Sequence, residues 1–464
     1  MRARPQRAFD PGVAGLATAA LVLATLVGSA LPAGAQGLRF IRDSEIEELL
    51  NDYARPIFEA AGLGQHRIRM RIVRDKGFNA FVLDGRNVFV NSGTLMETET
   101  PNEVVGVIAH ETGHIAGGHM AGLRSKIAKD MTRNLLMKVL GIGAMIAGGA
   151  AGKGDTGDLV ADAGRSILSG SDELTMRSVL SYRRVQESSA DQAAVSYLNQ
   201  THQSGRGMLA TFERFAQQEL FSDRFKDPYV RSHPSGQDRI SQLRELAERS
   251  PYYSVADTTE LQMRHDLMRA KLFGFLEKSN TVLNRYPQSD QSVAAVYARS
   301  IAIFNAKGVE AALPLIDSLI AAQPNYAYFW ELKGDLLLRT GAAKQAVAPL
   351  RKAHQLAPKA SLISMRLADA LIGAGDKKLT EEAIDLLRRA LVEEDFAQGY
   401  RQLANAYYQR GEEGLAYLAT AQAALLEGKL PEAKGFAKRA QPAFKSGSPN
   451  WIKADDIINL QTPS

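Results

Sequence analysis

Between residues 265 and 445 the chain repeats itself at a spacing of 34 residues: Ala312, Leu319 and Pro324 recur as Ala346, Ala353 and Pro358. A fixed period constrains the fold strongly. A unit this short cannot bury its apolar face alone and must stack on its neighbours. The small residues let two helices approach closely, and each proline stops the second helix of a pair. The expected product is a row of helix pairs with a concave binding face.

Within 327–360, Trp330, Gly334, Leu337, Ala346, Leu350, Ala353 and Pro358 fall on the tetratricopeptide spacing. Looser units follow, first with Ala368, Ala383, Leu387 and Ala390, then with Leu403, Ala404 and Tyr407. Another holds Ala421, Leu425, Ala433 and Ala440. Four to five units are expected over 265–445, with 446–464 left as a C-terminal tail.

The opposite end carries an export signal. Arg2, Arg4 and Arg7 precede an apolar stretch from Val13 to Leu31, and Ala33-Gly34-Ala35 fits a small-x-small cleavage site. Residues 1–35 are therefore expected to be a signal peptide. The chain has no cysteine, so an exported form has neither disulfides nor a lipid-bearing cysteine, and any metal site must use histidine and carboxylate. A periplasmic protein fits these features. The formal charge of +5 comes with no basic run interleaved with aromatics, and no nucleic-acid partner is expected.

Residues 40–62 read as a helix. Period-two stretches follow at Ile68–Val73 and Val88–Val90, separated by 79–87, where Asp84-Gly85 signals a hairpin turn. Thr100-Pro101-Asn102-Glu103 then opens a second helix. This helix carries the apolar run Val104–Ala109 and then His110-Glu111-Thr112-Gly113-His114. Positions i and i+4 share a helix face, so His110 and His114 can close on one metal ion, with Glu111 on the adjoining flank. Two imidazoles holding Zn²⁺ and a glutamate taking a proton from water outline a zinc hydrolase. Strands followed by such a helix make an α+β domain over 36–260.

Glu187, in Glu187-Ser188-Ser189-Ala190-Asp191 on a helix running to about Leu198, is the natural third ligand. Asp191, one turn on, can accept from the free N–H of a ligating histidine and fix its tautomer. Ser232-His233-Pro234 places His233 at a helix mouth. There it can be a fourth ligand or can stabilise a developing oxyanion, with Arg239 supporting it. A longer metal pattern would need a third histidine at position 120, which is Met120. His119 is one residue short and, on a continuous helix, would face away from His114, unless Gly117-Gly118 ends the helix first; it is read as structural or as a neighbour of a ligand. His66, His202, His265 and His354 are read as ordinary.

These motifs, His110-Glu111-xx-His114, Glu187-xx-Ala190-Asp191, Asn79-Ala80-Phe81 and His233-Pro234 with Arg239, resemble in order the pattern of the zinc endopeptidases related to the CAAX prenyl protease. With a signal peptide in front and repeats behind, the chain is similar to the periplasmic β-barrel assembly-enhancing protease group. The resemblance covers roughly residues 40–445. It implies a zincin-type metallopeptidase domain followed by an all-α tetratricopeptide-repeat solenoid, with one Zn²⁺ per chain on His110, His114 and Glu187. It implies Glu111 as general base and acid, and His233 as a regulatory ligand or transition-state group. It implies that Asn79 binds the substrate main chain beside an edge strand. It further implies degradation of misassembled outer-membrane β-barrel precursors, help in their maturation, and repeats that engage the barrel-assembly machinery. The location implied is the periplasm, in association with the outer membrane. The integral-membrane branch of the family has several spans that this chain lacks, so prenylated substrates are not expected.

Leu135–Ala150 is almost uncharged apart from Lys138 and is broken by Gly141, Gly143 and Gly148-Gly149. At 16 residues it sits at the lower limit for a bilayer span. Residues 131–175 are read as an insert, either a lid near the active site or a segment contacting a membrane, with mobile flanks at 152–157 and 169–173. Two functions are carried forward. One is a zinc endopeptidase; the other is a chaperone or adaptor acting through the repeats while the peptidase site is gated or silent.

Overall fold

Asp43 starts the first helix, α1 (Ser44–Ala60), by accepting from the Ile46 N–H at 3.1 Å, an N-cap that satisfies one of the open amide donors. Ile46, Leu49, Leu50, Tyr53 and Ile57 recur every three or four residues and are all buried. In the computed structural model the residues described are 39–66, 68–83, 85–150, 155–221 and 237–461. The expected signal peptide, Asp84, the flank at 152–154 and His233 lie outside them.

A four-stranded sheet packs against α1. Its strands are β1 (Phe40–Ile41), β2 (Arg69–Val73), β3 (Ala80–Val82) and β4 (Asn87–Asn91), in the order β1-β2-β4-β3. β2 and β4 run parallel, with Arg69 opposite Asn87 and Val73 opposite Asn91. β3 folds back antiparallel on β4, pairing Ala80 with Val90 and Val82 with Val88. The Phe81 and Phe89 rings stack across this pair at 5.1 Å, a cross-strand contact that fixes the register. The sequence reading treats 79–87 as a separator; the structure puts the short strand β3 inside it, at an edge of the sheet. Gly85 follows with φ +70°, which glycine adopts without strain.

After α2 (Ser92–Glu97) comes α3 (Pro101–Ala116), in which every residue from Pro101 to His114 is buried. A helix buried on all sides belongs at the centre of a domain, and α3 is enclosed by α1, β3 and two later helices. Gly117 closes it, and Gly118, with φ +60°, turns the chain. Two long helices follow, α4 (His119–Ala150) and α5 (Asp155–Gln200), packed against each other. The flank expected at 169–173 is continuous helix in α5. Met131, Leu135, Leu136, Val139, Leu140 and Ile142 of α4 are each at least 50% exposed. Among the described residues no helix is long and apolar enough to cross a membrane. α6 (Arg206–Phe221) and α7 (Gln237–Glu248) complete this half. Ile46, Val90, Ile108, Leu198 and Phe212 belong to its single core.

The repeat region starts after α8 (Thr259–Leu276) and α9 (Ser279–Arg285). Five helix pairs follow among the described residues: α10 (Val293–Lys307) with α11 (Val309–Ala322), α12 (Ala327–Arg339) with α13 (Ala343–Leu356), α14 (Ser361–Ala374) with α15 (Lys377–Glu393), α16 (Ala397–Gln409) with α17 (Glu413–Leu426), and α18 (Leu430–Ala440) with α19 (Pro449–Asn459). Gly334 shows why the spacing matters, since a Cβ there would lie 2.3 Å from Leu350 Cγ on the paired helix. The last helix lies in the segment expected to be a tail, and it buries Ala454 and Ile457.

From Ile41 onward the described residues form one compact unit, held by a polar junction at the start of α1. Lys271 of α8 lies 2.7 Å from Asp43 and 3.1 Å from Glu45. Tyr297 and Tyr326 donate to the two oxygens of Glu45 at 2.8 and 2.7 Å. Burial, only partly offset by Lys271, lifts the nearby Glu331 carboxyl to about 8. His265 bridges the same halves, with Nδ1 3.1 Å from Tyr53 Oη and Nε2 3.0 Å from the Thr98 carbonyl. Those partners require Nε2–H donating to Thr98 and Nδ1 accepting from Tyr53.

Burial lowers His265 to about 4, with the Thr98 carbonyl opposing and Arg269 adding to the shift. A folded value below the ordinary 6.5 means that the unfolded chain takes up the proton first. The contribution is therefore fully present above about pH 6.5 and lost as pH falls through about 4, up to ~3 kcal/mol in all. His265→Gln, which keeps a donor and an acceptor, is expected to flatten the fall in Tm over that window relative to wild type, read by circular dichroism melts at successive pH values.

Candidate metal centre

His110 and His114 project from one face of α3, as their spacing demands, and their Nε2 atoms lie 3.1 Å apart. Glu187 of α5 meets both, with Oε2 3.3 Å from His110 Nε2 and Oε1 3.4 Å from His114 Nε2. All three are buried. One ligand atom from each falls within 4.8 Å of the others. Donors bound to zinc tetrahedrally at about 2.0–2.1 Å stand roughly 3.3 Å apart. The separations of this cluster and its mix of imidazole and carboxylate therefore fit that ion.

Two glycines bring the helices this close. A Cβ on Gly113 would lie 2.8 Å from the Ala190 carbonyl oxygen and 3.0 Å from Ala190 Cα. α3 and α5 thus touch backbone to backbone one turn from Glu187. Gly106 plays the same part against α6, where a Cβ would fall 2.6 Å from Met208 Cα.

A second layer orients these groups. Asp191 Oδ1 lies 2.9 Å from His110 Nδ1, the arrangement expected from its place one turn beyond Glu187. Arg239, carried in by α7, grips Asp191 through Nε and Nη2 at 2.5 and 2.9 Å and reaches Glu187 Oε2 through Nη1 at 3.0 Å. The sequence reading has Arg239 supporting His233; the described structure shows it bridging the two carboxylates of α5. Phe212 of α6 lies under the Arg239 guanidinium at 5.1 Å and meets the His110 ring edge-on at 5.2 Å. Nothing in the sequence marks Phe212 beyond its apolar position on a helix.

Burial alone would depress His110, but hydrogen bonds and charges from Asp191 and Glu187 overcome it and raise the imidazole to about 9. A metal ion entering the cluster must displace that proton. Burial also opposes the charge of Asp191, yet Arg239 and His110 hold its carboxyl below the usual range.

Glu111 is buried beside His110. Asn79 is also buried and immediately precedes the edge strand β3. Its main chain is fixed by Thr94, whose hydroxyl accepts from the Asn79 N–H and donates to the Asn79 carbonyl, both at 2.8 Å. β3 packs on α3, so the edge strand and the histidine pair belong to one assembly. His119, read from the sequence as structural or as a neighbour of a ligand, stands beside His114. The chain reverses at Gly118, and His119 Nδ1 comes to 2.9 Å from His114 Nδ1. Burial lowers its pKa. The adjacent glycines are the signal that the helix ends before this histidine.

Gly113→Ala is expected to push α5 from α3 by a few tenths of an ångström or more at Ala190. Zinc affinity should then fall ~10-fold or more while the fold is retained, as measured by chelator competition on the purified protein.

Residues 41–247 match the profile of peptidase family M48. The chain is 22% identical over 428 residues to the "Beta-barrel assembly-enhancing protease" of Escherichia coli O157:H7, covering 90% of this chain and 83% of that one. It is 23% identical over 430 residues to the protein of the same name from Yersinia pestis, covering 90% and 84%. It is 31% identical over 180 residues to "Metalloprotease LoiP" of Escherichia coli K12, covering 38% and 62%. Among solved structures, "MamA MSR-1 C2" covers 37% of this chain and 99% of its own at 22% identity, with a TM-score of 0.31. The chain carries a peptidase family M48 domain over residues 41–247 and is a zinc metalloprotease.

Proposed function

We propose that this protein is a periplasmic endopeptidase that acts in the assembly of outer-membrane β-barrel proteins, cleaving misassembled precursors and assisting others. The observation that carries the reading is one compact unit holding a buried His110–His114–Glu187 cluster, an edge strand beside it and a helical repeat array. Relatives aligned over 90% of the chain bear a barrel-assembly name, and this supports the choice of substrate. β3 offers its outer edge to an extended peptide, which would pair by β-augmentation with Asn79 at the strand's start. Unfolded barrel strands are such peptides. The repeats provide the surface that holds precursors or the assembly machinery.

Zinc, when bound to His110, His114 and Glu187, supplies Lewis acidity that polarises a carbonyl and acidifies water. Glu111, buried one residue from His110, then takes the proton from water as general base and returns it to the leaving amine as general acid. Asp191 holds the His110 proton at Nδ1 and leaves Nε2 for the ion. Arg239 keeps Asp191 ionised so that it can do so. The exposed apolar face of α4 supports a peripheral contact with a lipid surface.

Glu111→Gln is expected to keep about one zinc per chain, measured by elemental analysis, and to lose casein cleavage by ~10²-fold or more. Cleavage at the wild-type rate would remove Glu111 from the mechanism. Co-purification with the same variant should enrich outer-membrane precursors and barrel-assembly components; their absence would count against the substrate assignment. For α4, Leu135→Asp combined with Val139→Asp is expected to reduce co-flotation with anionic lipid vesicles while cleavage of a soluble peptide is unchanged.

A further inference from the structure

His119 belongs to no ligand set, yet the chain takes an unusual course to place it. Helix α3 ends at Gly117, and Gly118 at φ +60° turns the backbone into α4, whose first residue is His119. The imidazole then folds back over the end of α3. A Cβ on Gly117 would stand 2.3 Å from His119 Nε2 and 2.6 Å from Cδ2, so only glycine leaves room for the ring. Gln186, the residue before Glu187, donates from Nε2 to the His119 carbonyl at 2.9 Å and ties this turn to the helix that carries the third ligand.

The ring meets His114 on the side away from the cluster. His114 Nε2 faces His110 Nε2 and Glu187, whereas His114 Nδ1 faces His119 Nδ1 at 2.9 Å, the two rings edge-on at 79°. One of two nitrogens 2.9 Å apart must donate and the other accept. If Nε2 of His114 is to offer its lone pair to a metal, the His114 proton sits on Nδ1, and His119 Nδ1 is the acceptor. His119 then carries its own proton on Nε2. The arrangement parallels that of His110, whose Nδ1 is 2.9 Å from Asp191.

We propose that His119 is the positioning residue for His114, accepting from its Nδ1–H and thereby fixing the tautomer and ring orientation that present Nε2 to the metal. The two ligating histidines are thus held by unlike partners, a carboxylate behind His110 and a neutral imidazole behind His114. His119 is also the root of α4, so the orientation of His114 is coupled to the seating of that helix.

The proposal rests on reading His110, His114 and Glu187 as the zinc site, and the test separates the two. Zinc content and affinity are measured by chelator competition at pH 7 for wild type, His119→Phe and His119→Asn, with melting of the metal-free proteins followed by circular dichroism. Phenylalanine keeps the ring volume without an acceptor; asparagine places Oδ1 close to where Nδ1 lies. The expected result is a loss of ~10–100-fold in zinc affinity for His119→Phe, most of it restored in His119→Asn, with the metal-free melts of both near wild type. Wild-type affinity in His119→Phe, which would mean that His119 only packs, would overturn the proposal, as would equal losses in both variants, which would mean that an acceptor there restores nothing. Wild type without zinc would instead overturn the site reading beneath it, before any variant is compared.

Discussion

Helices α3 and α5 cross at Gly113 and Ala190 with no side chain between them, and the metal centre hangs on that crossing. Glu187 sits three residues before the contact and Asp191 one residue after it, so a single close approach delivers both the acidic ligand and the partner of His110. Any side chain at position 113 would hold the carboxylates away from the imidazoles. The contact is also why α3 can be buried on every side. Its small residues let α5 and α6 replace water without leaving voids, and Phe212 arrives on α6 to wall the His110 ring and underlie Arg239.

Much of this was legible in the sequence because the governing distances are local. His110 and His114 face together through helical spacing alone, Asp191 follows Glu187 by the same rule, and the 34-residue period gives paired helices with starts at 293, 327 and 361. What could not be read depends on partners remote in the chain. Arg239 has several acidic candidates in sequence, and only the seating of α7 chooses Asp191 and Glu187. His119 looks misplaced on a continuous helix and becomes a neighbour of His114 only when the backbone turns at Gly118. Residues 169–173 look like a loose flank because they lack strong amphipathic spacing, yet they lie within the continuous helix α5. β3 is three residues long and too short for its alternation to register.

The two halves of the site are stiffened differently. Around His110, ionic groups dominate: Asp191, Glu187 and Arg239 form a closed set in which each charge has a near neighbour of opposite sign. Around His114, apart from Glu187, the contacts are the rings of His110 and His119. A buried charge network resists change because removing one member strands the others, whereas a ring contact at a helix root yields more readily. The more deformable side of the centre is therefore the side joined to α4.

The junction at Lys271 has a consequence for how such a chain can be recombined. Peptidase and repeat segments look like separable modules in sequence, with a change of texture near residue 265. In the folded molecule the first helix of the peptidase half begins in a carboxylate knot whose counter-charge, Lys271, comes from α8 and whose hydroxyl donors, Tyr297 and Tyr326, come from the repeats. A chimaera joining this peptidase to a foreign repeat array would bring Asp43 and Glu45 into the interior without them. Shuffling at the apparent boundary is thus closed to this lineage unless those three side chains travel with Glu45, and the two halves must drift in sequence as a pair.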